Sequence, residues 1–179
     1  MRPVLAAAVF ALLLAGCATA GKADKAGADF DFDRYVPSRL GQVEGSSEEG
    51  CQALPNRPIY MVDALLPAHR FEARATQRFR PLEADARKLL EISDEMSSKQ
   101  RATMFAEEVL VGIEGQERWL PIQASVAPFW RRELAEGEAV WLYVSRFGCV
   151  KPVDAAGDRT IMTINEFQVE PIGQPEPTP

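Results

Sequence analysis

The sequence predicts one α+β domain: a small, mostly antiparallel β barrel or sheet, OB-like or SH3-like, with two or three helices. Three observations favour this fold class. A chain of 179 residues with 46% hydrophobic composition is long enough for a single core. Apolar runs of strand length dominate its last third, and a helical period of apolar residues occupies the middle.

The first part of the chain contains little sustained apolar periodicity. Residues 17–50 are rich in Ala, Gly, Ser, Asp and Glu, which indicates a flexible tether. Three aromatic residues between Phe30 and Tyr35 interrupt it, and their simplest role is docking onto the domain. Ile59 to Leu66, bounded by two prolines, is long enough for one buried strand. The folded domain is therefore expected over residues 51–171.

The middle of the chain changes to helical spacing. Leu82, Ala86, Leu89 and Leu90 recur on one face, which predicts an amphipathic helix ending near Met96. Ser97 and Ser98 break this helix and can cap a short second one, whose buried face would carry the residues Ala102, Phe105 and Ala106.

The last third predicts strands around one short helix. Val109–Ile113 and Trp119–Ile122 flank a glycine-containing turn and form a hairpin. Ser125 can cap a helix that Gly137 ends. Ala139–Val144 is apolar on both faces, and Arg159–Val169 is the final strand. Residues 172–179 are expected to be a disordered tail.

An export signal occupies the N-terminus. Arg2 precedes an apolar run from Val4 to Leu14 that is too short to span a bilayer comfortably. Leu14-Ala15-Gly16-Cys17 closes this run and resembles the lipobox of bacterial lipoproteins. The alternative is an ordinary secretory signal cut near Ala18–Ala20, which would leave a soluble product.

The lipoprotein resemblance implies a location. Residues 1–16 would be removed, and Cys17 would carry a diacylglycerol and an acylated amino terminus, with palmitate among the acyl chains. Several acyl chains anchor a protein stably. Ala18 is not the aspartate that marks inner-membrane retention, so the resemblance implies the outer membrane, facing the periplasm.

Two cysteines remain, Cys51 and Cys149, and in an exported chain they are expected to form a disulfide. The competing interpretations are two free thiols or a metal site with His69, although closely spaced ligand pairs are absent. Neither a metal nor a cofactor is expected. The net charge of −6 argues against nucleic-acid binding, which needs a dense basic face.

Candidate binding residues are few. The tryptophans at 119, 130 and 141 are expected to be core residues, with Trp119 the best candidate for a binding surface because it lies just beyond the hairpin turn. Arg131, Arg132 and Arg146 offer a small basic patch beside aromatic residues, although such a patch is more often a solvated helix face, here with Glu133 and Glu136 nearby to neutralise it.

Candidate catalytic residues are weaker. His69 is the only histidine and lies in none of the familiar nucleophile motifs. Glu107 and Glu108 would form an acid pair only if one were buried, and adjacent strand residues point to opposite faces.

These observations predict a binding or assembly module in the cell envelope with no catalytic activity. Its partner would be a periplasmic protein or peptidoglycan, and the membrane would be contacted through Cys17. Two alternatives remain: an inhibitor of an envelope enzyme, and a periplasmic hydrolase that depends on His69 or on Glu107 and Glu108.

Overall fold

The computed structural model describes residues 30–45, 51, 58–97, 102–151 and 158–169. The predicted signal sequence, Cys17 and the C-terminal tail lie outside these residues. The strands are β1 (Val36–Pro37), β2 (Ile59–Val62), β3 (Ala68–Pro81), β4 (Phe105–Ile113), β5 (Gln116–Gln123), β6 (Ala139–Lys151) and β7 (Arg159–Gln168). The helices are α1 (Leu40–Gly45), α2 (Ala84–Ser97) and α3 (Ala127–Glu133). Of the helices in the described ranges, none is both long and apolar enough to cross a bilayer.

Five of the strands close into a barrel. The order is β3-β4-β5-β7-β6, and β6 pairs back onto β3. Every pairing in this ring is antiparallel except β5 with β7, which is parallel at Ile122↔Ile164. Helix α3 connects β5 to β6. This strand order with one parallel pair is the OB arrangement, so the predicted fold class is confirmed in its OB-like form.

Two long strands make closure possible because each changes its partner along its length. Strand β3 pairs with β6 through residues 68–74 and with β4 through residues 73–81, with a register shift between Ala75 and Phe79 in the second pairing. Strand β6 likewise leaves β3 after Ser145 and pairs β2 through residues 148–151. Irregularities of this kind bend and twist a strand, which curls the sheet onto itself.

The barrel interior is one apolar core, to which α1 contributes Leu40 and Val43 and α3 contributes Trp130. A second core lies outside the barrel. There, Leu82, Ala86, Leu89 and Leu90 pack against the cluster formed by Phe105, Phe147, Val150 and Ile161. The predicted amphipathic face of α2 is thus confirmed.

Residues 30–45 belong to the folded domain, so the predicted tether is wrong for this stretch. Leu40 is fully buried and Val43 is 3% exposed. The rings of Phe32 and Tyr35 lie 4.9 and 5.5 Å from the ring of Tyr143 on β6. The predicted docking of these aromatics onto the domain is therefore confirmed. A two-residue strand and a six-residue helix carry too few apolar positions for a periodic signal.

Several predicted boundaries are also corrected. The strand predicted to reach Leu66 ends at Val62, and β3 was not predicted. The second helix is a single 3-10 turn at Ala102–Met104, after which Phe105 begins β4. Helix α3 has Val126 at its N-cap and ends at Glu133, so neither Ser125 nor Gly137 has its predicted role.

The hairpin and the last two strands are confirmed. The hairpin turn has Glu114 and Gly115 at φ 50° and 77°. Two consecutive left-handed residues are what a two-residue hairpin turn of type I′ requires. Strand β6 is longer than predicted and reaches Lys151.

Candidate functional site

A groove opens where β5 and β7 diverge. The two strands pair at Ile122↔Ile164, and before that point their N-terminal halves separate. The resulting space of about 670 Å³ is lined by α1, by Arg80 at the end of β3, by residues 117–120 of β5 and by the first residues of β7. We call it the Trp119 groove. Its volume lies within the roughly 300–1,000 Å³ of small-ligand sites.

Trp119 contributes a half-exposed aromatic wall to this groove. The guanidinium carbon of Arg80 lies 4.5 Å from its ring centroid, and that of Arg78 lies 5.9 Å away. Cation–π contacts of this kind hold the ring in place. Trp119 is partly buried and lines the groove, so it lies outside the core, as the sequence suggested.

The other tryptophans divide between core and surface. Trp130 is fully buried, and its indole Nε1 donates to the Thr76 carbonyl oxygen at 2.9 Å. Trp141 is half-exposed beneath the guanidinium of Arg70 and lines a second, shallower depression. The prediction of core packing is thus correct for Trp130 and wrong for Trp141.

A buried ion-pair network forms one side of the groove. The side chain of Glu108 is 0% exposed and accepts hydrogen bonds from Arg80 Nε at 2.6 Å and Arg159 NH2 at 3.1 Å. Both arginines also contact Glu83, just before α2. A buried carboxylate requires such partners, because an unpaired buried charge is very costly. The network fixes β3, β4, β7 and the start of α2 relative to one another.

A second ion pair ties α1 to the barrel. Arg118 of β5 donates from Nε and NH2 to the two carboxylate oxygens of Glu44, at 2.8 and 3.1 Å. These bonds raise the pKa of the Arg118 guanidinium. A two-point arginine–carboxylate contact fixes orientation as well as distance. Helix α1 is thereby held as a wall of the groove.

The basic patch predicted on α3 is not part of this groove. Arg131 pairs with Glu107 and lies 3.8 Å from the ring centroid of Phe79. Arg132 pairs with Glu133 and lies over Phe129. Both cations are neutralised locally, and neither lines the space beside Trp119.

Arg146, the third residue of the predicted basic patch, does not line the Trp119 groove either. Its Nε lies 3.3 Å from Asp63 Oδ2, in the loop that follows β2. Trp119 and the three arginines are therefore not brought together as one site.

His69 contacts Ser38, with 2.8 Å between His69 Nδ1 and Ser38 Oγ. Ser38 Oγ also lies 3.1 Å from the Val36 carbonyl oxygen, a second acceptor for its one proton. The direction of the bond between Ser38 and His69 depends on the histidine tautomer. Burial, with a smaller contribution from Arg146, lowers the pKa of His69. The pair therefore holds β1 against β3 through a neutral imidazole.

Cys51 and Cys149 form a disulfide, as predicted, with 6.2 Å between their Cα atoms. Asp158, at the edge of the Trp119 groove, lies near both sulfurs. Within the described ranges this trio is the one group of potential metal ligands that comes together. Because the sulfurs are bonded to each other, they cannot act as thiolate ligands.

Most of the residues that form the groove could not be found from sequence patterns. Arg80, Arg159 and Glu44 come from three elements that are far apart in the chain. One signal was present: charged residues alternate with Phe71, Ala73 and Ala75 in the segment that forms β3. That alternation is typical of a half-buried strand.

The fold and the groove define a class: a small OB-type barrel with a side groove of ligand size. Comparison with known proteins does not narrow this class. No family model matches the chain, and searches of curated proteins and of solved structures find no significant match.

Proposed function

We propose that this protein is an outer-membrane lipoprotein, facing the periplasm, whose barrel binds a partner in the cell envelope. The lipobox-like Leu14-Ala15-Gly16-Cys17 and the disulfide both fit an exported chain. Acylated Cys17 supplies the anchor, and the Trp119 groove supplies the binding surface.

The Trp119 groove is the observation that carries this proposal. It combines a fixed aromatic ring with charged side chains around one concave space. Its framework is preorganised, because the Glu108 network and the Glu44–Arg118 pair hold its walls. Preorganised groups lose little entropy when a ligand binds, which favours affinity.

Binding is the role that the ion-pair network favours. Glu83 and Glu108 are both engaged by Arg80 and Arg159, so these charges hold the walls of the groove in place. The proposed protein holds its partner without changing it.

Photocrosslinking in intact cells tests the binding role. A benzoylphenylalanine introduced at Gly45, inside the groove, is expected to give a defined crosslinked product that mass spectrometry identifies. The same group at Arg132, on α3, serves as the matched control. A product that forms equally from both positions, or from neither, would contradict binding through the groove.

Metabolic labelling tests the anchor. Radioactive palmitate is expected to label the wild-type chain and not Cys17→Ser, and membrane fractionation should place the labelled protein in the outer membrane. Equal labelling of both chains, or release of the wild type from membranes by salt alone, would reject the lipoprotein assignment.

A further inference from the structure

The edge of β5 that faces the Trp119 groove is not paired with a strand over residues 117–120. Strand β5 pairs with β4 along its length, from Ile113↔Gln116 to Phe105↔Gln123. On its other side β5 pairs with β7 at Ile122↔Ile164, and no other described residue of β5 pairs with β7. Alternate backbone groups of residues 117–120 therefore point into the groove, whereas Pro121 has no amide to donate.

We propose that an extended peptide segment with a basic side chain binds in this groove as a strand added to β5. This inference rests on the proposed binding function and names the ligand class for the same groove. Main-chain hydrogen bonds to the β5 edge would supply affinity, and the groove side chains would supply selectivity.

Helix α1 leaves room for that segment. Gly41 and Gly45 line the groove, and a Cβ built on either would meet no heavy atom within 4 Å. The absence of side chains lets a peptide backbone pass close to the helix. Neither glycine has a positive φ, so larger residues can occupy both positions without backbone strain.

The charges of the groove favour a basic peptide side chain. Arg80, Arg118 and Arg159 are all engaged by glutamates. The carboxylates of Glu117 and Asp158 line the same space and have no ion-pair partner among the described residues. They are the charges left for a ligand, and they attract a lysine or arginine. The half-exposed Trp119 ring can cover the aliphatic stem of that residue.

A glycan is the less favoured ligand. Aromatic and polar side chains suit sugars as well as peptides, but a glycan cannot complete the hydrogen-bond ladder of a strand edge. The unpaired β5 edge therefore favours a peptide over peptidoglycan strands.

Peptide binding to the full-length protein, purified in detergent, tests the proposal. The probes are two fluorescent libraries of peptides of about nine residues, a common strand length. One alternates valine or threonine with lysine or arginine, and the other carries glutamate at the basic positions. We expect the basic library to bind, with protection of β5 amides from hydrogen exchange, and the acidic library to bind at least about tenfold more weakly.

Variants of α1 show whether the groove is the site. Gly41→Trp fills the groove and is expected to weaken binding of the basic library by about tenfold or more. Gly41→Ala fills little space, and Arg39→Trp adds an indole at an exposed position just before the same helix that does not line the groove. Both controls should bind like the wild type, with urea unfolding confirming that all three variants fold.

Three outcomes would overturn the proposal: equal binding of both libraries, binding of the basic library that Gly41→Trp leaves intact, and absence of binding to either library. Sedimentation with purified peptidoglycan that Gly41→Trp abolishes, together with no peptide binding, would assign the groove to glycan instead. That result would leave the proposed binding function standing, whereas loss of the crosslinks at Gly45 would remove it.

Discussion

The burial of Glu108 decides how much stability is lost when its ion-pair partners, Arg80 and Arg159, are substituted. Its side chain is 0% exposed, whereas those of Arg80 and Arg159 are 35% and 31% exposed. If Glu108 loses its charge, water can solvate the two arginines. If both arginines are removed, Glu108 remains as a buried charge with no cation beside it.

This asymmetry predicts the effect of substitutions on stability. The double variant Arg80→Met, Arg159→Met is expected to lower the free energy of unfolding by about 3–5 kcal/mol. Glu108→Gln keeps hydrogen-bonding atoms in place and should cost less, about 1–3 kcal/mol. Urea unfolding at neutral pH measures both values. An equal or reversed order would show that Glu108 does not depend on these cations.

His69 predicts a pH dependence of stability. Burial, and to a smaller extent the charge of Arg146, lowers the pKa of His69 in the folded state below the ordinary histidine value of about 6.5. In the window below 6.5 the unfolded chain therefore binds the proton more readily, so stability is lost as the pH falls through that value. His69→Gln should lose less stability than the wild type between about pH 7.5 and pH 5 in urea unfolding. Identical pH profiles would contradict this assignment.

At the scale of elements, α1 is short but structural. Its Leu40 is fully buried in the barrel core. Leu40→Ala is expected to destabilise the protein by about 2–5 kcal/mol, the cost of a cavity in a packed core. Gln42→Ala, on the exposed side of the helix, loses the hydrogen bond that the Arg39 amide donates to Gln42 Oε1 and should cost less, about 0.5–1.5 kcal/mol. Equal, small effects in thermal unfolding would mean that α1 is dispensable.

Elements were predictable where their burial followed a simple period. The apolar face of α2 is visible in the sequence as the helical spacing of Leu82, Ala86 and Leu89. The hairpin turn is marked in the sequence by Gly115. Strand β3 was missed because Ala73 and Ala75 fill two of its core positions between charged neighbours. Alanine is only weakly apolar, so its burial is decided by the strands around it.

At the scale of the molecule, the disulfide joins the segment between α1 and β2 to β6. Cys51 and Cys149 are 98 positions apart. In the chain-entropy model, closing a loop of this size stabilises a protein by up to about 4.7 kcal/mol. The free energy of unfolding of the double variant Cys51→Ser, Cys149→Ser is expected to be about 2–5 kcal/mol lower than that of the oxidised wild type. Equal stability of this variant and the oxidised wild type would contradict that contribution.

The Trp119 groove is a property of the whole barrel and was not predictable from local patterns. Trp119 was predicted from its place after a turn, but Arg80 reaches its ring from β3, two strands away, and Arg159 joins the same groove from β7. The divergence of β5 and β7 depends on which strands become neighbours. Local sequence specifies the strands, and their order follows from long-range packing.

The docked aromatic segment also limits how far the barrel can travel. Phe30 already contacts Tyr143, and it lies thirteen positions after Cys17. A fully extended chain spans at most about 3.6 Å per residue, so a lipid on Cys17 would keep Phe30 within roughly 47 Å of its leaflet. Under the proposed anchoring, whatever occupies the groove must come within that distance plus the width of the barrel itself.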